Sequence, residues 1–242
     1  MFVSCDLHIH TDLSPCSEEE MSPGNIVGMA LLKGLQVIAI TDHQSCGNCA
    51  AAISLSEKIG GPLVLPGLEV ESQEEIHLVC LFPELNQALQ MEKLVRGALP
   101  AMENRPEIFG RQYYYNLEDE RIGEEKQLLL LACQLDSYTI ARLAADLGGV
   151  CLPAHIDREA NSMLSTLGMI PEDFPVRWLE ISACADTGRL IASHAELAHY
   201  QLLRSSDAHR LADIAEPGWP LDVPGFTPDA AGRQKVILAL RP

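Results

Sequence analysis

Basic residues are scarce in this chain: 17 lysines and arginines face 34 aspartates and glutamates among 242 residues, a formal net charge of −17. Affinity for nucleic acid rests mainly on neutralising phosphates, so this balance predicts that no long nucleic acid is a partner. A small phosphorylated substrate stays compatible, because a bound cation dominates the field close to it. Aromatic residues are also few, at 5% against a hydrophobic share of 47%. The core is therefore expected to be aliphatic, as in strands covered by helices. No apolar run approaches about 18 residues, so no membrane-spanning helix is expected. The opening MFVSCDLHIH carries neither a basic stretch nor a long apolar one, and export is not expected. The eight cysteines are scattered, and Cys5, Cys80, Cys151 and Cys184 sit in apolar runs. Reduced, buried thiols in a cytoplasmic protein follow from that pattern. Internal repeats, low-complexity tracts and interdomain linkers are not found, and nothing in the residues fixes an oligomeric state.

What the chain does have is alternation. Short runs rich in Val, Ile and Leu fall at 2–8, 36–41, 63–68, 76–82, 149–154, 177–182 and 201–205. Their length and composition read as strands. Helices are expected between most of them, at 25–33, 50–59, 85–97, 137–147 and 188–199. The first has clear punctuation: Ser22 caps, Pro23 suits the first turn, and Gly34 closes it. Strand alternating with helix argues for parallel strands, and seven of them suggest a closed or nearly closed barrel, with an open doubly wound sheet as the alternative. One domain over 1–242 is expected. Residues 100–131 break the rhythm as an insert between the fourth and fifth strands, hairpin-like or mixed, with three adjacent tyrosines, Tyr113, Tyr114 and Tyr115. It reads as surface decoration or as a lid over the site. The proline-rich stretch 217–228 reads as an irregular closing strap.

The histidines gather at strand ends. His8 and His10 close the first run, and residues two apart on a strand share a face. Asp42 and His43 end the second, Glu69 the third, His155 the fifth, and Asp207 with His209 the seventh; His77 lies in the fourth. Barrel enzymes assemble their sites from the C-terminal ends of strands. Six of the eight histidines fall at such places, while His194 and His199 lie on an expected surface helix. Imidazole with carboxylate suits zinc, manganese or iron. The donors outnumber what one four-coordinate ion needs, so two or three divalent metal ions are expected, and paired ions suit in-line displacement at phosphorus.

DLHIHT, ITDH, PGLE with the downstream His77, PAH and SDAH, in that order from residue 6 to 209, resemble the polymerase and histidinol phosphatase (PHP) family. The resemblance implies a distorted (β/α)7 barrel, a two- or three-metal site, and hydrolysis of phosphate esters by a metal-activated hydroxide. It implies that His8, His10 and Asp207 hold a first ion, that Glu69 bridges to a second held by His77 and His155, and that His43 and His209 hold a third. Arg158, three residues after His155, matches an arginine that would clamp a substrate phosphate; a surface salt bridge is the alternative. His43 and His209 are the candidates to protonate the leaving group. The chain departs from the family after the first motif: Pro15 stands where an aspartate is common, and Cys16 stands where some members place a histidine for the third ion. A thiolate ligates zinc or iron, so Cys16 is a candidate ligand, or a bystander beside a weak third site. Cys46 and Cys49 form a lone Cys-x-x-Cys, read as two thiols near the site.

Other readings compete with a small phosphomonoester or nucleotide as substrate. A PHP barrel can act as an exonuclease or oligonucleotide phosphodiesterase. Amidohydrolase barrels also use His-x-His, but often with a strand-end lysine, and no lysine falls in the strand runs here. A degenerate barrel could serve as a metal-binding regulatory module.

Overall fold

The computed structural model describes residues 1–241. It is an α/β fold built on a curled, half-barrel sheet. The chain opens with β1 (Phe2–Ile9), crosses through α1 (Pro23–Lys33) to β2 (Val37–Ile40), and through α2 (Cys49–Ile59) to β3 (Leu63–Glu71). These three strands are parallel neighbours. The first crossover has the expected caps: the Ser22 hydroxyl accepts from the Asn25 N–H, Pro23 sits in the first turn, and Gly34 takes a left-handed φ of 77°.

The next strand corrects the expectation of parallel strands throughout. β4 (His77–Leu81) runs antiparallel to β3, with Glu71 opposite His77. The reason is the short link 72–76. A parallel crossover needs a dozen or more residues, whereas a tight turn only joins antiparallel strands. Glu75 takes φ 60° in that turn. Because β4 is reversed, its beginning lies at the rim where its neighbours end, and this brings His77 to the other histidines.

After α3 (Leu85–Gly97) comes the insert. It contains α4 (Pro106–Phe109) and a hairpin of β5 (Tyr113–Tyr115) and β6 (Arg121–Glu124). It packs on the loop after β1. Tyr113 N–H donates to the Asp12 carbonyl at 3.0 Å. The Tyr115 hydroxyl and the Arg121 guanidinium reach the Asp12 carboxylate at 2.7 and 3.1 Å. Asp119 accepts from the Ser22 hydroxyl and the Gly24 N–H at the start of α1. The insert thus braces the first loop.

α5 (Ser137–Asp146) leads to β7 (Val150–Pro153), which pairs antiparallel with β4. α6 (Met163–Leu167) precedes β8 (Trp178–Ile181), and α7 (Thr187–Ser193) precedes β9 (Gln201–Arg204). β8 and β9 form their own parallel pair. A bridge between Ile9 and Ala208 and a hydrogen bond from Ile156 N–H to the Glu180 carbonyl link this pair to the curled sheet. The proline-rich strap is more regular than expected: β10 (Pro220–Asp222) adds an antiparallel edge to β1, with proline at its first position, where no ladder donor is lost. α8 (Ala230–Leu240) follows, capped by Asp229.

Two apolar layers result. Val3, Cys5, Leu7, Val37, Leu65, Val79, Leu152 and Leu203 fill the concave side, while Ile38, Ile40, Val64, Cys80 and Cys151 meet the helices. Strands buried on both faces explain the unbroken apolar runs in the sequence. Among the described residues no helix is long and apolar enough to cross a membrane.

Candidate metal centre

Above the concave core, apolar side chains give way to buried polar ones. His8, His10 and Glu69 are at most 1% exposed, His155 2% and Asp207 7%. His8 Nε2 and His10 Nε2 lie 3.0 Å apart. Asp207 Oδ1 is 3.3 Å from the first and 3.1 Å from the second. Glu69 Oε1 is 3.3 Å from His8 Nε2 and His155 Nε2 and 2.9 Å from His77 Nδ1. Glu69 Oε2 is 3.0 Å from His43 Nδ1. Yet neither Glu69 oxygen, nor Asp207 Oδ1, has a partner in hydrogen-bonding geometry among the described residues. The nitrogens are near but not aimed as donors, and the proximity is the more telling of the two facts, since buried acceptors without donors are costly.

Proton accounting explains the arrangement. The Ser14 hydroxyl has one proton, given to the Asp42 carboxylate at 2.7 Å. Its oxygen must therefore accept from His10 Nδ1 at 2.9 Å. That leaves His10 Nε2 with a bare lone pair. His8 Nδ1 donates to Glu180 Oε1 at 2.8 Å, so its Nε2 faces the lone pair of His10. One positive centre has to lie between them, a proton or a metal ion. The charges agree. Burial opposes protonation of His8, but Glu180, Asp207 and Glu69 outweigh it and hold the ring well above the ordinary imidazole range. Burial, with His209 beside it, pushes His10 well below. Burial also works against ionised Glu69, but His77, His8 and His43 hold its carboxyl far below the usual carboxylate range. Donors about 2.0–2.2 Å from a tetrahedral ion stand roughly 3.3–3.6 Å from one another, and the triangle of His8, His10 and Asp207, with sides of 3.0 to 3.3 Å, is slightly tighter than that. The donor set fits a divalent cation.

Two further groups share these members: His10 with His43 and His209, and His43 with Glu69 and His77, each with ligand atoms within 4.8 Å of one another. Every candidate ligand named from the sequence except Cys16 joins one of the three groups or touches Glu69. Cys16 is exposed and belongs to none. Cys46 and Cys49 are buried behind the site; the Cys46 thiol donates to Glu92 at 3.2 Å. Arg158, half-exposed, donates to Asp207 Oδ2 at 2.5 Å. A cleft of about 410 Å³ opens over His43, Glu69, His77, His155, Asp207 and His209, with Arg158, Glu159, Ala160 and Asn161 on its wall. No described residue of 100–131 lines that wall; the insert packs on the first loop instead.

Backbone strain gathers here as well. Gln44, His155, Asn161 and Asp207 have φ of 54°, 30°, 55° and 52°, a region that side-chain-bearing residues seldom enter and that concentrates at working sites. Sequence reading missed the residues that hold the ligands: Ser14, Glu180 and Asn161. Asn161 Nδ2 lies 3.1 Å from His77 Nε2 and its carbonyl accepts the His77 N–H at 2.9 Å. Only Glu180 carried a signal, a lone acid inside the apolar run 177–182.

No family model matches the chain. An uncharacterized protein of Methanocaldococcus jannaschii is 30% identical in a 103-position alignment that covers 38% of this chain and 59% of that protein. Among solved structures, the lesion-specific endonuclease EndoQ of Pyrococcus furiosus superposes with a TM-score of 0.68 at 21% identity, over 98% of this chain and 56% of its own. This chain therefore spans little more than half the length of either protein. A protein assigned as a metal-dependent phosphoesterase, from Bifidobacterium adolescentis, gives 0.58 at 18% identity, over 97% and 95% of the two chains. An amidohydrolase of Chromobacterium violaceum gives 0.59 at 17%, over 92% of each. These likenesses carry the fold, and they agree with the PHP resemblance read from the motifs.

They also correct one expectation. Endonuclease Q has been solved with a 27-mer duplex substrate, and that structure matches 87% of this chain with a TM-score of 0.62. The net charge of −17 therefore does not rule out a long nucleic acid. Physically, exposed charges beyond about 8 Å are screened at physiological salt, so the groups lining a cleft decide what phosphate it accepts.

Proposed function

We propose that this chain is a hydrolase that cleaves phosphate esters with the help of two or three divalent ions, zinc, manganese or iron. The observation that supports it most is the triangle of His8 Nε2, His10 Nε2 and Asp207 Oδ1 beside a carboxylate, Glu69, whose buried oxygens lack donors among the described residues. In this reading His8, His10 and Asp207 would hold one ion, His77 and His155 a second with Glu69 between the two, and His43 with His209 a third, beside which Cys16 is a candidate ligand or a bystander. Such ions, when bound, supply activated water near neutral pH and neutralise charge on the phosphate. The protein does the rest. Arg158 leaves Asp207 and grips a non-bridging phosphate oxygen pair. Where the third site is not what steadies the leaving oxygen, His43 or His209, at the cleft, would return a proton to it. The walls of the cleft hold the ester in line.

The substrate in this reading is a small phosphomonoester or nucleotide. A second reading, cleavage of phosphodiesters in nucleic acid, is favoured by the likeness to endonuclease Q. The same view of the fold takes β1 to β4 and β7 to β9 as a ring of seven strands; the Ile9–Ala208 bridge supports it. All eight cysteines are free thiols, which suits a reducing, cytoplasmic setting. The test is elemental analysis of protein purified without added metal, with phosphate release and duplex cleavage assayed on the same sample. Two or three equivalents of metal with release from a phosphomonoester support the first reading; nicking of duplex alone supports the second. Protein that takes up no ion and cleaves neither defeats both.

A further inference from the structure

Glu180 is out of place in its strand. It lies in β8 between Leu179 and Ile181 and is 1% exposed. Among the described residues no lysine or arginine pairs with it; its one ionic neighbour is His8. Burying a carboxylate is expensive unless it is paired and hydrogen-bonded, and apolar side chains would serve the core at least as well. Its use has to be sought in what it touches.

A single oxygen makes both contacts. Glu180 Oε1 accepts from His8 Nδ1 at 2.8 Å and from the backbone N–H of His155 at 3.2 Å, while Oε2 has no partner among the described residues. The first contact keeps the proton of His8 on Nδ1 and leaves Nε2 to face the centre. The second holds His155 at a strained φ of 30°, with its Nε2 3.3 Å from Glu69. β1 and β7 are not neighbours in the sheet. Glu180 ties the end of one to the end of the other from behind, opposite Glu69.

Resting on the metal reading above, we infer that Glu180 is a positioning residue that holds His8 and His155 as ligands of two different ions through one carboxylate oxygen, so that the two sites fill as a pair. Outer carboxylates of this kind raise ligand basicity and fix ring orientation, and losing one typically weakens metal binding about ten- to a hundredfold.

Cobalt(II) titration of the whole chain, followed by visible absorption and calorimetry, tests it. Two variants are compared with the unaltered protein. Glu180→Gln keeps an acceptor oxygen and loses the charge; about tenfold weaker binding is expected for both ions. Glu180→Leu loses both, and about a hundredfold weakening is expected for both ions, with altered cobalt bands and a lower metal-free melting temperature, because the His8 Nδ1–H and the His155 N–H lose their acceptor. Should Glu180→Leu fail to fold, Glu180→Gln decides. Unchanged affinity in Glu180→Gln overturns the inference, and weakening confined to one ion overturns the pairing. Absence of cobalt uptake by the unaltered chain defeats the metal reading itself and the inference with it.

Discussion

The two sides of the centre are built differently. On the β1 side, His8 and His10 are fully buried, and each ring has its far nitrogen held, by Glu180 and by Ser14 backed with Asp42. On the β3–β4 side, His77 is 14% exposed at the cleft and rests on the amide of Asn161, while His155 Nδ1 has no partner among the described residues. A ring held at one nitrogen loses little freedom when the other binds, so the β1 side is set in advance and the β4 side adjusts. The contrast teaches that an ion on the β1 side should bind tighter and exchange more slowly.

The largest effect should come from the two carboxylates at the centre, Glu69 between the sides and Asp207 on the β1 side. Glu69→Ala or Asp207→Ala is expected to remove metal uptake and to cut ester hydrolysis by roughly a thousandfold or more; elemental analysis with turnover on the same samples checks this. Retained activity in both would break the comparison at its root. Next comes Ser14→Ala, which frees the His10 ring to adopt either tautomer. Metal affinity should fall about tenfold on the β1 side and by less on the other, read by calorimetric titration. Equal loss on both sides would show that the two are not separately organised.

Arg158→Ala sharpens the picture further out. It removes the grip on the phosphate and keeps every metal ligand, so KM should rise about tenfold or more while metal content stays unchanged. A fall in metal content would instead mean that Arg158 serves to hold Asp207. The smallest effect lies in the insert and serves as a control. Burial opposes ionisation of Glu125, but the Arg96 guanidinium and the Tyr114 hydroxyl hold its carboxyl at about 2. A depressed carboxylate stabilises the fold above its unfolded value of 4.5, and that contribution is lost as pH falls from there through about 2. Glu125→Gln should cost under about 1 kcal/mol at pH 7, given its partial exposure, and the difference from the unaltered chain should vanish by about pH 2 in urea melts. Metal binding should not change.

The sequence exposed the ligands more readily than their supports. His8, His10, His43, Glu69, His155, Asp207 and His209 could be read because each follows an apolar strand run, where a polar residue has to be at a rim. His77 could be named but not placed, since its reach to the rim depends on β4 running backwards, a consequence of the length of one turn. Ser14 and Asn161 were opaque for another reason, and Glu180 showed only as an acid inside an apolar run. A serine in a loop, an amide after a turn and one acid in a strand are ordinary in isolation, and their roles exist only through contacts with residues distant in the chain. α8 was missed because its apolar residues follow a proline-rich strap and show little one-sidedness.

In the metal reading, the Glu69 oxygens, without a hydrogen-bond partner among the described residues, would make occupancy a matter of survival as well as of turnover. A ligand that binds only the folded chain adds stability in proportion to the logarithm of its concentration over its dissociation constant. Metal-starved molecules would therefore open more often and be removed first by proteases, and a melting curve of a crude extract would report how much of this protein had been charged with its ions.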